Sequence, residues 1–170
     1  MSGERLRAAP GSVHHLTVRS ITGDPVGLSD FAGRVLLVVN VASRCAFTPQ
    51  YAGLQRLQER FEGRGLTVLG FPCNQFLFQG PGNAGQIESF CSVTYGVTFP
   101  LFEKIKVRGS NRHPLYDLLS SEPDDTGRAG EVKWNFEKFV IGPDGRPRRR
   151  FRSRTEPESP EILDAIEALL

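Results

Sequence analysis

Cys45 is the residue of this chain whose surroundings best suit chemistry. It stands between a short apolar run, 35–39, typical of a buried strand, and Thr48-Pro49, which are residue types that begin helices. A thiol at a helix N-terminus lies in a field that favours the thiolate, and Arg44 adds positive charge. Because the thiolate is the reactive form, we predict a redox-active or nucleophilic cysteine. From this segment alone, a buried structural thiol is the alternative, since free cysteine is among the most buried residue types.

Two later segments bring hydrogen-bond donors that suit a reaction at such a sulfur. Residues 71–76 follow the next apolar run and include Gln75, and residues 134–139 lead into another short strand and include Trp134 and Asn135. Amide and indole N–H groups are neutral donors, which stabilise a leaving oxygen when they are fixed in advance. Each residue alone has an ordinary explanation in a loop, the core or a turn. The three segments read NVASRCAFTPQY, FPCNQF and WNFEKF.

These segments, in this order, resemble the glutathione peroxidase family, in its cysteine-using branch outside mammals. The resemblance extends over about residues 16–157 and is closest to short bacterial members. It implies a catalytic tetrad of Cys45, Gln75, Trp134 and Asn135. It also implies an antioxidant thiol peroxidase, an oxidoreductase that reduces hydrogen peroxide and organic or lipid hydroperoxides in the response to oxidative stress. Such an enzyme has no cofactor and takes thioredoxin, or else glutathione, as its reducing co-substrate.

A second cysteine has to react with the sulfenic acid that a peroxide leaves on Cys45, because that species condenses with a nearby thiol. Cysteine-type members of the family use a cysteine in the region of Cys91, which implies a redox-active disulfide that thioredoxin reduces. Cys73 is the alternative; we favour Cys91 as the resolving thiol because Cys73, at a strand end, is expected to be locked in the core and less accessible. The predicted helix that carries Cys91 must loosen before the sulfurs meet.

Length, charge and cysteine content limit the classes of protein that this chain can be. Its 170 residues suit one domain, and residues 1–12 are expected to be a loose lead-in without a secretory signal. A net charge of +2 and the lack of a long apolar run argue against nucleic-acid binding and membrane insertion. The cysteines form no CxxC pair and the histidines lack zinc-ligand spacing, so we expect no metal site. We predict a cytoplasmic monomer.

The hydrophobic pattern predicts the elements that position these side chains. Short apolar runs indicate strands, spaced apolar residues indicate helices, and a Gly-Asp-Pro turn near residue 24 indicates a hairpin at the front. Helices between strands and a closing hairpin give a three-layer α/β sandwich, which the family resemblance sharpens to a thioredoxin-like fold with an added N-terminal β-hairpin. The predicted strands are 16–18, 26–28, 35–42, 66–71, 101–107, 136–141 and 148–153, and the predicted helices are 49–62, 82–95, 114–119 and 159–170.

The chain departs from the family pattern at two places near the reactive cysteine. Ala46 stands where the family usually has glycine, which matters only if that backbone needs a positive φ, and we expect that it does not. Residues 77–82 replace a segment that often contains Glu-Pro-Gly. Phe78, together with Phe47 and Leu77, would form an apolar collar that suits organic or lipid hydroperoxides. In the alternative, Phe47 and Leu77 pack inward.

Four arginines, Arg148, Arg150, Arg152 and Arg154, would share one face of the last predicted strand. We expect a solvated edge that discourages aggregation, with a landing patch for anionic lipid or an acidic reductase as the sharper alternative. A nucleic-acid or membrane-surface module built on these arginines is one alternative function, although it leaves the cysteine tetrad unexplained. A peroxide sensor that passes its disulfide to a regulatory partner is another, because the same residues would serve it.

Overall fold

The computed structural model describes residues 11–170, so residues 1–10 of the predicted lead-in lie outside the described residues. Three 3₁₀ turns, Val13–His15, Leu28–Phe31 and Glu62–Arg64, connect regular elements. The strands are β1 Thr17–Arg19, β2 Pro25–Gly27, β3 Val35–Val41, β4 Leu66–Pro72, β5 Lys138–Ile141 and β6 Pro147–Phe151. The helices are α1 Gln50–Phe61, α2 Ala84–Tyr95, α3 Pro114–Leu119 and α4 Pro160–Glu167.

The central sheet has the strand order β4-β3-β5-β6. Strands β3 and β4 are parallel, with Val35 opposite Leu66, and α1 joins them in the strand–helix–strand unit that the sequence predicts. Both strands are buried along their whole length, as expected for strands covered on two faces. Strands β5 and β6 form the second predicted hairpin and add to the sheet in antiparallel orientation. Strands β1 and β2 form the separate N-terminal hairpin.

The two faces of the sheet bury separate hydrophobic cores, because neighbouring side chains of a strand point to opposite sides. The odd-numbered residues of β3 contribute to the first core, which also contains Cys45, Cys91 and the apolar sides of α1 and α4. Leu36 and Val38 contribute to the second core, with Cys73, α3 and part of the N-terminal hairpin. The predicted three-layer sandwich with its added hairpin is confirmed. No helix within residues 11–170 is long and apolar enough to span a membrane.

The predicted strand at 101–107 is wrong. Leu101 and Phe102 make only isolated bridges, to Gly70 and Ser20. The chain then turns its backbone N–H groups to different partners: Glu103 donates to the carbonyl of Arg19, and Ile105 donates to the carbonyl of Pro72. This segment crosses from the N-terminal hairpin to the end of β4, and it therefore follows neither strand for long enough to form a ladder.

The prediction of a solvated arginine face on the last strand holds for Arg148 and Arg154, which are exposed, and is wrong for Arg150 and Arg152. The side chain of Arg150 is 0% exposed and pairs with Glu137, which is 1% exposed, at 3.0 Å. Arg150 also donates to the carbonyls of Glu122 and Gly130, so it holds the loop at 121–131 against the sheet. Arg152 pairs with Asp124 and Glu137 at 2.9 and 2.8 Å. That loop covers the middle of the face that was predicted to be solvated, so only Arg148 and Arg154 of the four arginines remain exposed. The nucleic-acid and lipid-landing alternatives, which needed all four arginines at the surface, lose their support.

Candidate active site

Cys45 lies in the loop between β3 and α1, and Thr48 holds that loop closed. The Cys45 N–H donates to the Thr48 hydroxyl at 2.8 Å, and the same hydroxyl donates to the carbonyl of Ala42 at 2.8 Å. Thr48 is of a residue type that begins helices by capping their first amides, but its hydroxyl is used inside the loop, and α1 begins at Gln50 without a side-chain cap. The structure thus uses this threonine to position the cysteine.

The sulfur of Cys45 lies in a buried residue and faces a backbone donor. Cys45 is 8% exposed, and the N–H of Phe47 points at its Sγ over 3.4 Å. A backbone N–H aimed at sulfur stabilises negative charge there, because it needs no reorganisation as the charge forms. Ala46 is absent from the few non-glycine residues with positive φ within 11–170, so its methyl group is tolerated, as the sequence predicts.

Trp134 and Asn135 are held beside the end of β3 by a buried residue that the sequence did not single out, Asn40. The Asn40 side chain donates to the carbonyl of Trp134 at 3.0 Å and accepts from the N–H of Glu137 at 3.0 Å. The carbonyl of Asn40 accepts from the N–H of Phe136 at 2.7 Å. Phe136 takes a left-handed backbone with φ of 62°, which makes the turn possible. The sequence did contain a signal for this role, because Asn40 is a polar residue near the end of a run of apolar residues.

The indole of Trp134 is half-buried and forms one wall of an open cleft. Its ring lies 5.6 Å from the ring of Phe76, centroid to centroid. Trp134 and Phe47 supply the apolar lining of a cleft of about 530 Å³, and Arg128, Lys133 and Arg154 are among its polar lining. Phe47 also packs on the first core. The carboxylates of Asp124 and Glu137 line the same cleft, so its polar wall carries charges of both signs beside the apolar one.

Gln75, which the sequence assigned to the tetrad, has its carboxamide turned towards another segment. Its Oε1 accepts from the N–H groups of Val107 and Arg108 at 2.6 and 3.1 Å, and its Nε2 donates to the carbonyl of Arg108 at 2.9 Å. The Sγ of Cys73 lies 3.8 Å from the same Oε1. These contacts tie the end of β4 to the segment 104–108. Both ends of this amide are therefore occupied by structural bonds.

Gln79, four residues later, is the glutamine that meets Asn135. The Nδ2 of Asn135 donates to Oε1 of Gln79 at 3.1 Å. The carbonyl of Gln79 accepts from the N–H of Arg44, the neighbour of Cys45, at 2.8 Å. The Oδ1 of Asn135 is buried and has no hydrogen-bond partner among the described residues. Gln75 and Gln79 lie in the same loop, and their spacing in the sequence does not indicate which of them lies near the cysteine.

Gly80 explains how this loop returns Gln79 to the cysteine. A Cβ on Gly80 would collide with the carbonyl of Cys73, so the chain passes there as closely as it can. The N–H of Gly80 donates to Oδ1 of Asn74 at 3.1 Å and closes the loop. The close passage places Gln79 beside Asn135 while the tip of the loop, Leu77 and Phe78, points outward.

The two other cysteines are equally buried, which removes the accessibility argument for choosing between them. Cys73 and Cys91 are both 0% exposed, and burial raises the pKa of each thiol. Cys91 also lies against the hydroxyl of Tyr51, which acts to lower the pKa of the Cys91 thiol. Cys73 and Cys91 differ in the core to which they belong. Cys91 shares the first core with Cys45, and Cys73 belongs to the second core, on the other face of the sheet.

Within residues 11–170, the His, Cys, Asp and Glu side chains form no cluster of three that could hold a metal ion. The site consists of one sulfur, an indole, two carboxamides and backbone N–H groups. Such an arrangement can stabilise an anionic sulfur and a developing oxyanion with neutral donors.

Comparison with known proteins agrees with this chemistry. A family profile described as "Glutathione peroxidase" matches residues 13–120. Hydroperoxy fatty acid reductase gpx1 of Synechocystis sp. is 48% identical over 167 residues, which cover 95% of this chain and 98% of that protein. Thioredoxin/glutathione peroxidase BtuE of Escherichia coli is 43% identical, and the match covers 94% of this chain and 97% of that protein.

Solved structures support the fold. The structure titled "Crystal structure of Trgpx in apo form" superposes with a TM-score of 0.74 at 40% identity and covers 93% of this chain and 95% of its own. A thiol:disulfide interchange protein of the thioredoxin family from Chlorobium tepidum superposes with a TM-score of 0.64 at 15% identity, covering 91% and 92%. At that identity the second likeness concerns the fold alone, and the predicted thioredoxin-like fold is confirmed.

Proposed function

The chain belongs to the glutathione peroxidase family and is a thiol peroxidase that reduces hydroperoxides, and from this premise we propose that Cys45 is its reacting sulfur. The observation that carries the proposal is the set of hydrogen bonds that join these residues to the Cys45 loop. The Phe47 N–H points at the sulfur, while Gln79 accepts from Asn135 through its side chain and from the N–H of Arg44, the residue before Cys45, through its carbonyl. We propose the tetrad Cys45, Gln79, Trp134 and Asn135, with Gln79 in place of Gln75.

In the first step the Cys45 thiolate attacks the terminal oxygen of the hydroperoxide. A sulfur–oxygen bond forms, the O–O bond breaks, and the other oxygen leaves as an alkoxide that takes up a proton to become an alcohol. Cys45 is left as a sulfenic acid. The Phe47 N–H stabilises the thiolate, and the indole of Trp134 and the amides of Asn135 and Gln79 are the donors available to the departing oxygen.

Cys91 is the resolving thiol that we propose for the second step. Cys91 attacks the sulfenic sulfur, a disulfide forms and water leaves. Cys91 is favoured over Cys73 because it shares the first core with Cys45, whereas a bridge to Cys73 would have to cross the sheet. We propose that α2 loosens around Cys91 in this step, so that the two Cα atoms come within the roughly 7 Å that a disulfide requires.

Thioredoxin is the reductant that we propose for the disulfide, with glutathione as the alternative, and no cofactor takes part. The printed name of the BtuE relative includes both reductants. The printed name of the Synechocystis relative refers to hydroperoxy fatty acids, and Trp134 and Phe47 give the cleft an apolar wall against which an acyl chain can pack. We propose hydrogen peroxide and organic or lipid hydroperoxides as substrates, and an antioxidant role as a cytoplasmic monomer.

Replacing the proposed sulfur tests the assignment. Cys45→Ser should abolish peroxide consumption in an assay coupled to thioredoxin and its reductase, because serine is a far weaker nucleophile at neutral pH. Circular dichroism should show an unchanged fold, since the replacement is close to isosteric. Turnover by the folded Cys45→Ser protein at the wild-type rate would refute the assignment.

A further inference from the structure

Leu77 and Phe78 form an exposed apolar tip on the active-site loop. Their relative exposures are 75% and 79%, whereas Phe76 before them is buried against Trp134. Both take left-handed backbone conformations, with φ of 52° and 53°. Bulky residues rarely adopt this conformation, because Cβ then crowds the following carbonyl oxygen. The chain therefore places two large apolar side chains in water at positions that disfavour them.

The turn itself does not require these residue types. Glycine or asparagine adopts the left-handed region with less strain and would make the same turn. Residue 79 would still return to Asn135, because Gly80 and its bond to Asn74 fix the close passage. Because other residue types would form this turn with less strain, we attribute a role to the Leu77 and Phe78 side chains themselves.

The segment 104–108, next to this tip, carries three cationic side chains. Lys104, Lys106 and Arg108 are exposed and alternate with the more buried Ile105 and Val107. Phe78 and the three cations line one cleft of about 470 Å³. Among residues 11–170 none of the three forms an ion pair. No carboxylate of the described residues neutralises their positive charges, which are therefore available to a binding partner.

Backbone contacts keep two of these cations beside the tip. Lys104 donates to the carbonyl of Gly82 at 2.8 Å, and Arg108 donates to the carbonyl of Gln75 at 3.1 Å. The guanidinium of Arg108 also lies 4.5 Å from the centre of the Phe76 ring. The loop that carries the apolar tip and the segment that carries the charges are thus joined into one surface.

We propose that this surface, the Leu77–Phe78 tip with Lys104, Lys106 and Arg108, docks the protein onto anionic lipid membranes. Apolar side chains that protrude beside cations match the acyl boundary and the headgroups of such a surface. Two protruding side chains are too few for a stable protein interface, which needs roughly 800 Å² from each partner. Transient docking of thioredoxin needs less area, and the experiment below distinguishes it from lipid docking. Docking there places the active-site loop against the lipid, and it does not depend on which residues carry out the peroxidase reaction.

Co-sedimentation with lipid vesicles tests the proposal directly. The full chain should bind vesicles of phosphatidylcholine with phosphatidylglycerol, bind phosphatidylcholine alone more weakly, and be released by added salt. The double variant Leu77→Asn/Phe78→Asn keeps residues that tolerate the left-handed backbone, and its partition coefficient should fall at least about tenfold. Lys106→Gln should lower it about fivefold.

Matched variants elsewhere provide the controls. Val93→Asn removes another exposed apolar side chain, which lies on α2 and is 82% exposed. Arg146→Gln removes an exposed charge in the turn between β5 and β6. Both should bind vesicles as the wild type does. Hydrogen peroxide turnover without vesicles should be unchanged in the Asn double variant, so a failure of the docking proposal is distinguishable from a failure of the peroxidase assignment.

Three outcomes would overturn the proposal. One is equal binding to the two kinds of vesicle, and another is equal loss of binding in Val93→Asn and in the double variant. The third is wild-type vesicle binding by the double variant together with a raised KM for thioredoxin, which would make the tip a protein-docking surface instead.

Discussion

At the scale of single residues, Gln75 and Gln79 differ in what their carboxamides are free to do. Gln75 is bonded at both ends to the backbone of 107–108, whereas Gln79 meets Asn135 beside Cys45. Donors near a reacting sulfur act through position, so a residue type alone does not qualify. The two glutamines therefore form a natural pair for an experiment on one loop.

We predict that Gln79→Ala slows the reaction with peroxide and that Gln75→Ala does not slow it to the same degree. Loss of one oxyanion donor costs about 10²–10³ in rate in other enzymes, and sharing among three donors should bring the loss to the lower end. Gln75→Ala should instead lower stability by about 1–3 kcal/mol, because it leaves the N–H of Val107 without its partner.

The measurements are rapid-mixing tryptophan fluorescence with hydrogen peroxide, in which Trp134 reports on sulfur oxidation, and urea unfolding. A large rate loss in Gln75→Ala with a normal rate in Gln79→Ala would restore the assignment made from the sequence.

At the scale of elements, the redox cycle depends on α2. The helix begins with a capping box between Asn83 and Gln86 and ends at Gly96 in a left-handed conformation. Cys91 is inside the first core and packs near Tyr51 of α1. Each of these contacts stabilises the helix in the reduced protein and would be weakened by the loosening of α2 that we propose for disulfide formation.

We predict that Cys91→Ser stops thioredoxin-linked turnover but leaves one round of Cys45 oxidation. Cys73→Ser is the matched control, because Cys73 is just as buried but faces the second core. Mass spectrometry of the oxidised wild type should find a Cys45–Cys91 disulfide. A Cys45–Cys73 bridge would reverse the choice of resolving thiol.

The buried ion pair between Arg150 of β6 and Glu137 joins the edge strand to the turn before β5. Arg150→Met should destabilise the protein by about 3–5 kcal/mol, because it leaves the Glu137 carboxylate buried with one cation fewer. Arg152 still pairs with Glu137, which favours the lower figure. Arg148→Met is the control: its pair with Asp144 is exposed and contributes about 0–1 kcal/mol. Urea unfolding that gave equal losses for the two variants would contradict this interpretation.

At the scale of the whole molecule, Lys138 connects the sheet to the C-terminal segment. Its Nζ is buried and donates to the carbonyls of Ser153 and Thr155 at 3.0 and 2.6 Å. The carbonyl of Ser153 also accepts from Gln50 in the first turn of α1. The sheet, the helix after Cys45 and the segment before α4 thus meet at one carbonyl group.

Burial lowers the pKa of Lys138 to about 7, against the opposing effects of Glu156 and Glu137. Above that pH the folded protein has lost a proton that the unfolded chain keeps until about pH 10.4. The free energy of unfolding should therefore rise with pH from about 7, by at most about 1.4 kcal/mol per pH unit. Cys73 and Cys91 act oppositely above about pH 8.5, because their raised pKa values let the folded state keep protons longer.

Urea unfolding at several pH values between about 7 and 8 isolates the contribution of Lys138. Lys138→Met should be less stable overall, because two carbonyls lose a donor, and its stability should not rise across this window. An equal rise in the variant and the wild type would show that another group is responsible.

The sequence by itself determined the family, the position of Cys45 and the order of the helices and of every strand except the wrongly predicted one at 101–107. Those features follow from local information: apolar runs, helix-start residues and three short segments in a fixed order. Only the tertiary structure decided which glutamine meets Asn135 and which core holds each cysteine. It also decided whether Arg150 faces water. These are relations between distant segments, set by a glycine passage at Gly80, by the separation of the two cores and by the loop that covers β6, and no local pattern encodes them.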